Sequence, residues 1–122
     1  MKKKVVVLDP DDCHRQKLFT ILKIKDYQVF AQNTLENMEA CIRSNDCTVA
    51  LIDIDAIDID NRTIRDLTIR YPGVYFLCLS EDRFHPELKE ALCYHIYACI
   101  NKPVDPSEIY FWLRSIFSDN RV

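Results

Sequence analysis

The sequence predicts an α/β fold of five strand–helix units: a doubly wound, five-stranded parallel sheet flanked by helices on both faces. Three observations carry this. Short runs rich in Val, Ile and Leu alternate with segments whose apolar residues recur at helical spacing. The runs are apolar along nearly their whole length, as suits strands covered on both faces. The connections are short, with no repeat, linker or low-complexity tract, so the 122 residues make one domain, 1–122.

Lys4–Leu8 (KVVVL) is the first buried strand, and Asp9 ends it. Pro10, Asp11 and Asp12 follow, with Asp12 placed to cap a helix over Cys13–Ile24 whose inward residues are Leu18, Ile21 and Leu22. Tyr27–Ala31 is the second strand, and Thr34 caps a second helix carrying Leu35, Met38, Cys41 and Ile42 inward. Thr48–Ile52 is the third strand, after which the run breaks into Asp53, Asp55, Asp58 and Asp60. Asn61 starts a third helix with a stripe of Ile64, Leu67 and Tyr71, stopped by Pro72-Gly73. Val74–Leu79 is the fourth strand, ending at Ser80; Pro86 opens a helix to about Tyr94. Ala98–Asn101 is a short fifth strand, ending at Lys102-Pro103. Asp105-Pro106 begins the last helix, to about Phe117, with Pro suited to the first turn. Its core stripe is Ile109, Trp112, Leu113 and Ile116; Phe111 points to the opposite side and Tyr110 to the flank. Ser118–Val122 is a polar tail, suited to a linker toward an output domain.

Composition narrows the function classes. A net charge of −3 gives no footprint for nucleic acid, and Lys2–Lys4 reads as a solubilising start to a strand. No apolar segment approaches the roughly 20 residues of a membrane span, and no convincing signal-peptide core follows Met1; the expected location is cytoplasmic. The six cysteines contain no C-x-x-C pair and read as buried, reduced thiols. A single glycine, Gly73, excludes every glycine-rich phosphate loop. The run from Asp53 is no calcium loop: position six is not glycine, and position twelve is Ile64 where Glu is required. His14, His85 and His95 are scattered and suggest no metal triad.

Four strand ends carry the chemistry. Asp9, Asp53, Ser80 and Lys102 each follow a different strand, and parallel strands bring all four to one edge, where open α/β sheets bind ligands. Two carboxylates there can hold a hard divalent cation such as Mg²⁺. One carboxylate can act as a nucleophile and form an acyl phosphate, while a hydroxyl and an ammonium bind the oxygens of the transferred group.

With these residues in this order, the chain resembles the receiver domains of two-component response regulators (CheY-like) over essentially its whole length. Asp60-Asn61 also resembles the family's Asp-Gly at the start of helix three. The resemblance implies the flavodoxin-like strand order 2-1-3-4-5. It implies that Asp53 accepts a phosphoryl group from the phosphohistidine of a histidine kinase or phosphotransfer protein, and that the chain is a switch rather than an enzyme. Asp9, Asp53 and the backbone carbonyl of Asp55 would hold Mg²⁺; Ser80 and Lys102 would contact the phosphoryl oxygens; the Lys102–Pro103 peptide would be cis. It further implies an output domain or effector as partner, and a homodimer surface on the last helix around Tyr110 and Phe111.

The chain departs from the family at defined places. Asp9-Pro10 stands where two adjacent acids are usual, which predicts weak Mg²⁺ binding, with Asp11 or the Asp55 side chain as the nearest substitute. Cys99 replaces an aromatic residue three positions before the lysine, His95-Ile96 replaces a Gly-Ala pair, and Ile57 replaces a proline. A degenerate, unphosphorylated receiver that works as an interaction module is therefore the main alternative. LIDID also looks like the nucleophile motif of haloacid-dehalogenase-type phosphatases, but no later acidic pair ends a strand as that family requires.

Overall fold

The structure, a computed structural model, describes residues 3–81 and 95–119. Its elements are β1 (Lys4–Leu8), α1 (Asp12–Ile24), β2 (Gln28–Gln32), α2 (Leu35–Asn45), β3 (Val49–Asp53), α3 (Asn61–Arg70), β4 (Tyr75–Ser80), β5 (Ala98–Asn101) and α4 (Pro106–Asp119). The helix expected over Pro86–Tyr94 lies outside the described residues. The last helix continues through Asp119, two residues into the segment read as a tail.

All strand pairs are parallel, in the order β2-β1-β3-β4-β5. The chain winds outward from β1 to β2, then crosses back to β3 and continues the other way. The switch point therefore falls between β1 and β3, where Leu8 registers with Ile52. Successive side chains on a strand face opposite sides, so each apolar run feeds two cores. Val6, Leu8, Ala50, Ile52, Phe76 and Cys78 pack with Met38, Ile42, Ile64 and Leu67 of α2 and α3. Val5, Val7, Val49, Leu51, Leu77 and Leu79 pack on the other face with Leu18 and Leu22 of α1 and Ile109, Leu113 and Ile116 of α4.

Helix starts are set by single side chains. Thr34 caps α2, accepting from the Asn37 amide at 3.1 Å, and Asp60 caps α3, accepting from the amide and hydroxyl of Thr63 at 2.9 and 2.8 Å. At α1 the cap is Asp11, not Asp12. Asp11 keeps an extended backbone and accepts from the His14 amide at 3.2 Å, while Asp12 is already helical and pairs with Arg15. In α4, Ile109, Leu113 and Ile116 are buried as the stripe requires, but Trp112 is only half-buried at the margin of the core. Among the described cysteines Cys41, Cys47 and Cys78 are buried, and burial pushes the Cys47 thiol up to about 12; Cys13 is exposed.

Phe76 sits on a central strand and is among the largest fully buried side chains. Phe76→Ala should lower the unfolding free energy by about 3–5 kcal/mol, read as a reduced urea midpoint with an unchanged slope.

Candidate functional site

The site forms at the carboxyl edge of β1 and β3, on either side of the switch point. Asp9 is fully buried. Its Oδ1 accepts from the Asp11 amide at 2.9 Å, and its Oδ2 contacts Nδ1 of His14. The Arg15 guanidinium donates to the Asp9 carbonyl at 2.8 Å. Asp53, the last residue of β3, is 2% exposed. Its Oδ1 accepts from the Asp55 amide at 3.1 Å and from Lys102 Nζ at 2.9 Å; its Oδ2 accepts from Lys102 Nζ at 2.8 Å. The turn after β3 lifts Asp55 beside β4, where its carboxylate accepts from the Ser80 hydroxyl at 2.8 Å and from the Glu81 amide at 2.8 Å. Lys102 Nζ lies 3.3 Å from the same carboxylate. The Lys102–Pro103 peptide is cis, as the resemblance implied.

Asp9, Asp53, Asp55, Ser80 and Lys102 are thus brought together. Asp11 contributes its amide, while its carboxylate is spent on capping α1. Ser80 faces Asp55 rather than Asp53.

The electrostatics follow from these contacts. Burial alone would push the Asp55 carboxyl up; the Glu81 amide, the Ser80 hydroxyl and Lys102 outweigh it and hold it below its ordinary value. Burial likewise favours the neutral amine of Lys102, but its bonds to Asp53 and Asp55 prevail and raise its pKa.

One residue at this edge was not expected from the sequence. His14 belongs to the site: Nδ1 lies against Asp9 and 3.4 Å from Oδ2 of Asp53. The histidines were expected to be scattered and to suggest no metal triad; His14 nonetheless stands in a group with two carboxylates, and His85 lies outside the described residues. Ligand atoms of Asp9, His14 and Asp53 all lie within 4.8 Å of one another. The available signal was position, since His14 sits in the first turn of a helix that starts at the strand-end edge. Two carboxylates side by side fit a divalent cation as a class, for Mg²⁺ takes one or two carboxylates and keeps its waters.

No protein-family model matches the chain, and no curated protein matches it. Solved structures do. A two-component response regulator from Clostridium difficile matches with a TM-score of 0.86 and 17% identity, over 99% of this chain and 100% of that one. The signal receiver domain of an HD domain-containing protein from Pseudomonas fluorescens Pf-5 matches with a TM-score of 0.86 and 17% identity, over 98% and 97%. A CheY-like response regulator receiver domain protein from Methanospirillum hungatei JF-1 matches with a TM-score of 0.81 and 21% identity, over 98% and 100%. The chain therefore has the flavodoxin-like fold of response-regulator receiver domains.

The depressed Asp55 carboxyl links the site to acid stability. A group whose folded-state pKa is lowered stabilises in full above its unfolded value, and that contribution is lost as pH falls through the folded value. Asp55→Asn should therefore be less stable than the parent at neutral pH, and the gap should close once the pH falls well below about 4. Denaturant melts at both ends of that range measure it.

Proposed function

We propose that the chain is a phosphorylation-dependent signalling switch in which Asp53 accepts a phosphoryl group from the phosphohistidine of a histidine kinase or phosphotransfer protein. One observation carries this reading: a buried carboxylate at the switch point, both of whose oxygens are held by a lysine from another strand end. An Asp53 oxygen attacks phosphorus, the P–O bond forms as the P–N bond breaks, and the donor imidazole leaves with its electron pair. A divalent cation held by Asp9 and Asp53 would neutralise charge on the transferred group. Lys102 is already in place to pass from the carboxylate to the phosphoryl oxygens, and Ser80 needs only to turn from Asp55. That exchange of partners supplies the conformational signal. In this role the chain acts in the cytoplasm as an acceptor, not as an enzyme with turnover.

The non-phosphorylated interaction module remains the second reading, because Pro10 stands where the resemblance expects an acid and the Ser80 hydroxyl is engaged by Asp55. Acetyl phosphate with saturating divalent metal separates the two. The proposed switch gains one phosphoryl group by intact mass, and Asp53→Asn gains none. Labelling that persists in Asp53→Asn, or a parent that never labels, would overturn it.

The outer side of α4 and β5 is the proposed partner surface. Phe111 is 55% exposed, and its ring meets Trp112 edge-on at 5.2 Å; Trp112 in turn meets Tyr97 at 5.9 Å. Tyr110 does not belong to it, since its hydroxyl donates to the Ile21 carbonyl at 2.6 Å and ties the ring to α1. Phe111→Ser should weaken self-association in sedimentation while leaving the circular dichroism spectrum unchanged.

A further inference from the structure

We propose that His14 is a direct metal ligand, making Asp9, His14 and Asp53 a mixed carboxylate–imidazole site for a first-row transition dication in preference to Mg²⁺. This deepens the reading of the same edge as a phosphoacceptor site, but metal binding itself needs no phosphorylation.

The donor set decides which class of cation suits the site. Mg²⁺ is hard, demands oxygen ligands and dehydrates reluctantly. Imidazole nitrogen suits the later first-row metals, and a mixed nitrogen and oxygen set follows their affinity order. Here the third donor beside two carboxylates is a nitrogen, and all three ligand atoms fall within 4.8 Å of one another. Pro10, the residue after Asp9, offers no side-chain oxygen, and the Asp11 carboxylate is turned away to cap α1.

His14 is also held in position. Its backbone amide is bound by the Asp11 cap, which fixes the main chain of His14 at the edge, and the ring itself is held there by the contact of Nδ1 with Oδ2 of Asp9. The Asp9 carboxylate is oriented by the Asp11 amide, and that of Asp53 by the Asp55 amide. These are the outer contacts that aim ligands at a metal. The His14 side chain is 24% exposed while the two carboxylates are buried, which leaves an ion a route past the imidazole. A cation held by Asp9, His14 and Asp53 would displace the direct contact between His14 and Asp9.

Mn²⁺ is the probe because it is the weakest binder of the series and the one closest to Mg²⁺ in its taste for oxygen, so a nitrogen bound to Mn²⁺ is the stringent case, and because the exposed Cys13 thiol on the same turn would compete for Zn²⁺. The full chain, stripped of metal by chelation, is titrated with Mn²⁺ and with Mg²⁺ by calorimetry, and the Mn²⁺ form is read by pulsed electron paramagnetic resonance. Modulation from a directly bound ¹⁴N is expected in the parent. In His14→Gln it should vanish, with Mn²⁺ affinity falling about tenfold or more for the lost ligand. His14→Asp, an all-oxygen site, should shift selectivity back toward Mg²⁺. Circular dichroism confirms that both variants fold. Absence of the nitrogen signal from the parent, or equal Mn²⁺ affinity in parent and His14→Gln, would overturn the proposal. The nitrogen signal without acetyl-phosphate labelling would uphold the metal site and overturn the phosphoacceptor reading; labelling without the nitrogen signal would do the reverse.

Discussion

The Lys102–Asp53 ion pair is the interaction on which the site depends. Strand ends in a parallel sheet converge by geometry, and here three of the converging groups are carboxylates. Removing such groups from water costs several kcal/mol for each ion unless partners compensate. Lys102 bonds both oxygens of Asp53 and reaches Asp55, so one ammonium from β5 restrains two of the three. Asp9 lies beyond that reach and is held by His14 and the Asp11 amide. The same arrangement that stabilises the cluster leaves it poised, because anything that takes Lys102 from Asp53 must replace the charge that it supplied.

Backbone amides do much of the remaining work. The Asp11, Asp55 and Glu81 amides each donate to a different carboxylate. They are supplied by the loops after β1, β3 and β4, the loops that leave the binding edge. An amide donor fixes an acceptor without adding a mobile charge, and so aims these carboxylates more firmly than long side chains could. Loop geometry and acid chemistry are therefore one feature of the fold. Similarity to receiver domains at 17% to 21% identity is understandable on this basis. The fold is shared while most residues differ.

Much of this was legible from sequence. Apolar runs such as KVVVL and VALI are long enough to pair and too apolar to face water, which identifies them as strands covered on both sides. Each is followed by a polar residue, and in a parallel sheet that punctuation puts Asp9, Asp53, Ser80 and Lys102 on one edge. Thr34 was legible as a helix cap because a short side chain with an oxygen, ahead of a periodic apolar stripe, has few other uses.

Three things were decided only by tertiary structure. Which of two adjacent aspartates caps α1 depends on the path of the chain leaving β1, since Asp11 and Asp12 are chemically identical. The partner of Ser80 depends on how far the turn after β3 carries Asp55 toward β4, and turn geometry is not encoded in strand or helix periodicity. The place of His14 beside Asp9 and Asp53 depends on α1 starting at the sheet's carboxyl edge with its first turn facing β3. Sequence patterns report which face of an element is buried, because burial is periodic. They do not report which side chains from different elements meet, because that is set by packing the sheet and its helices in three dimensions.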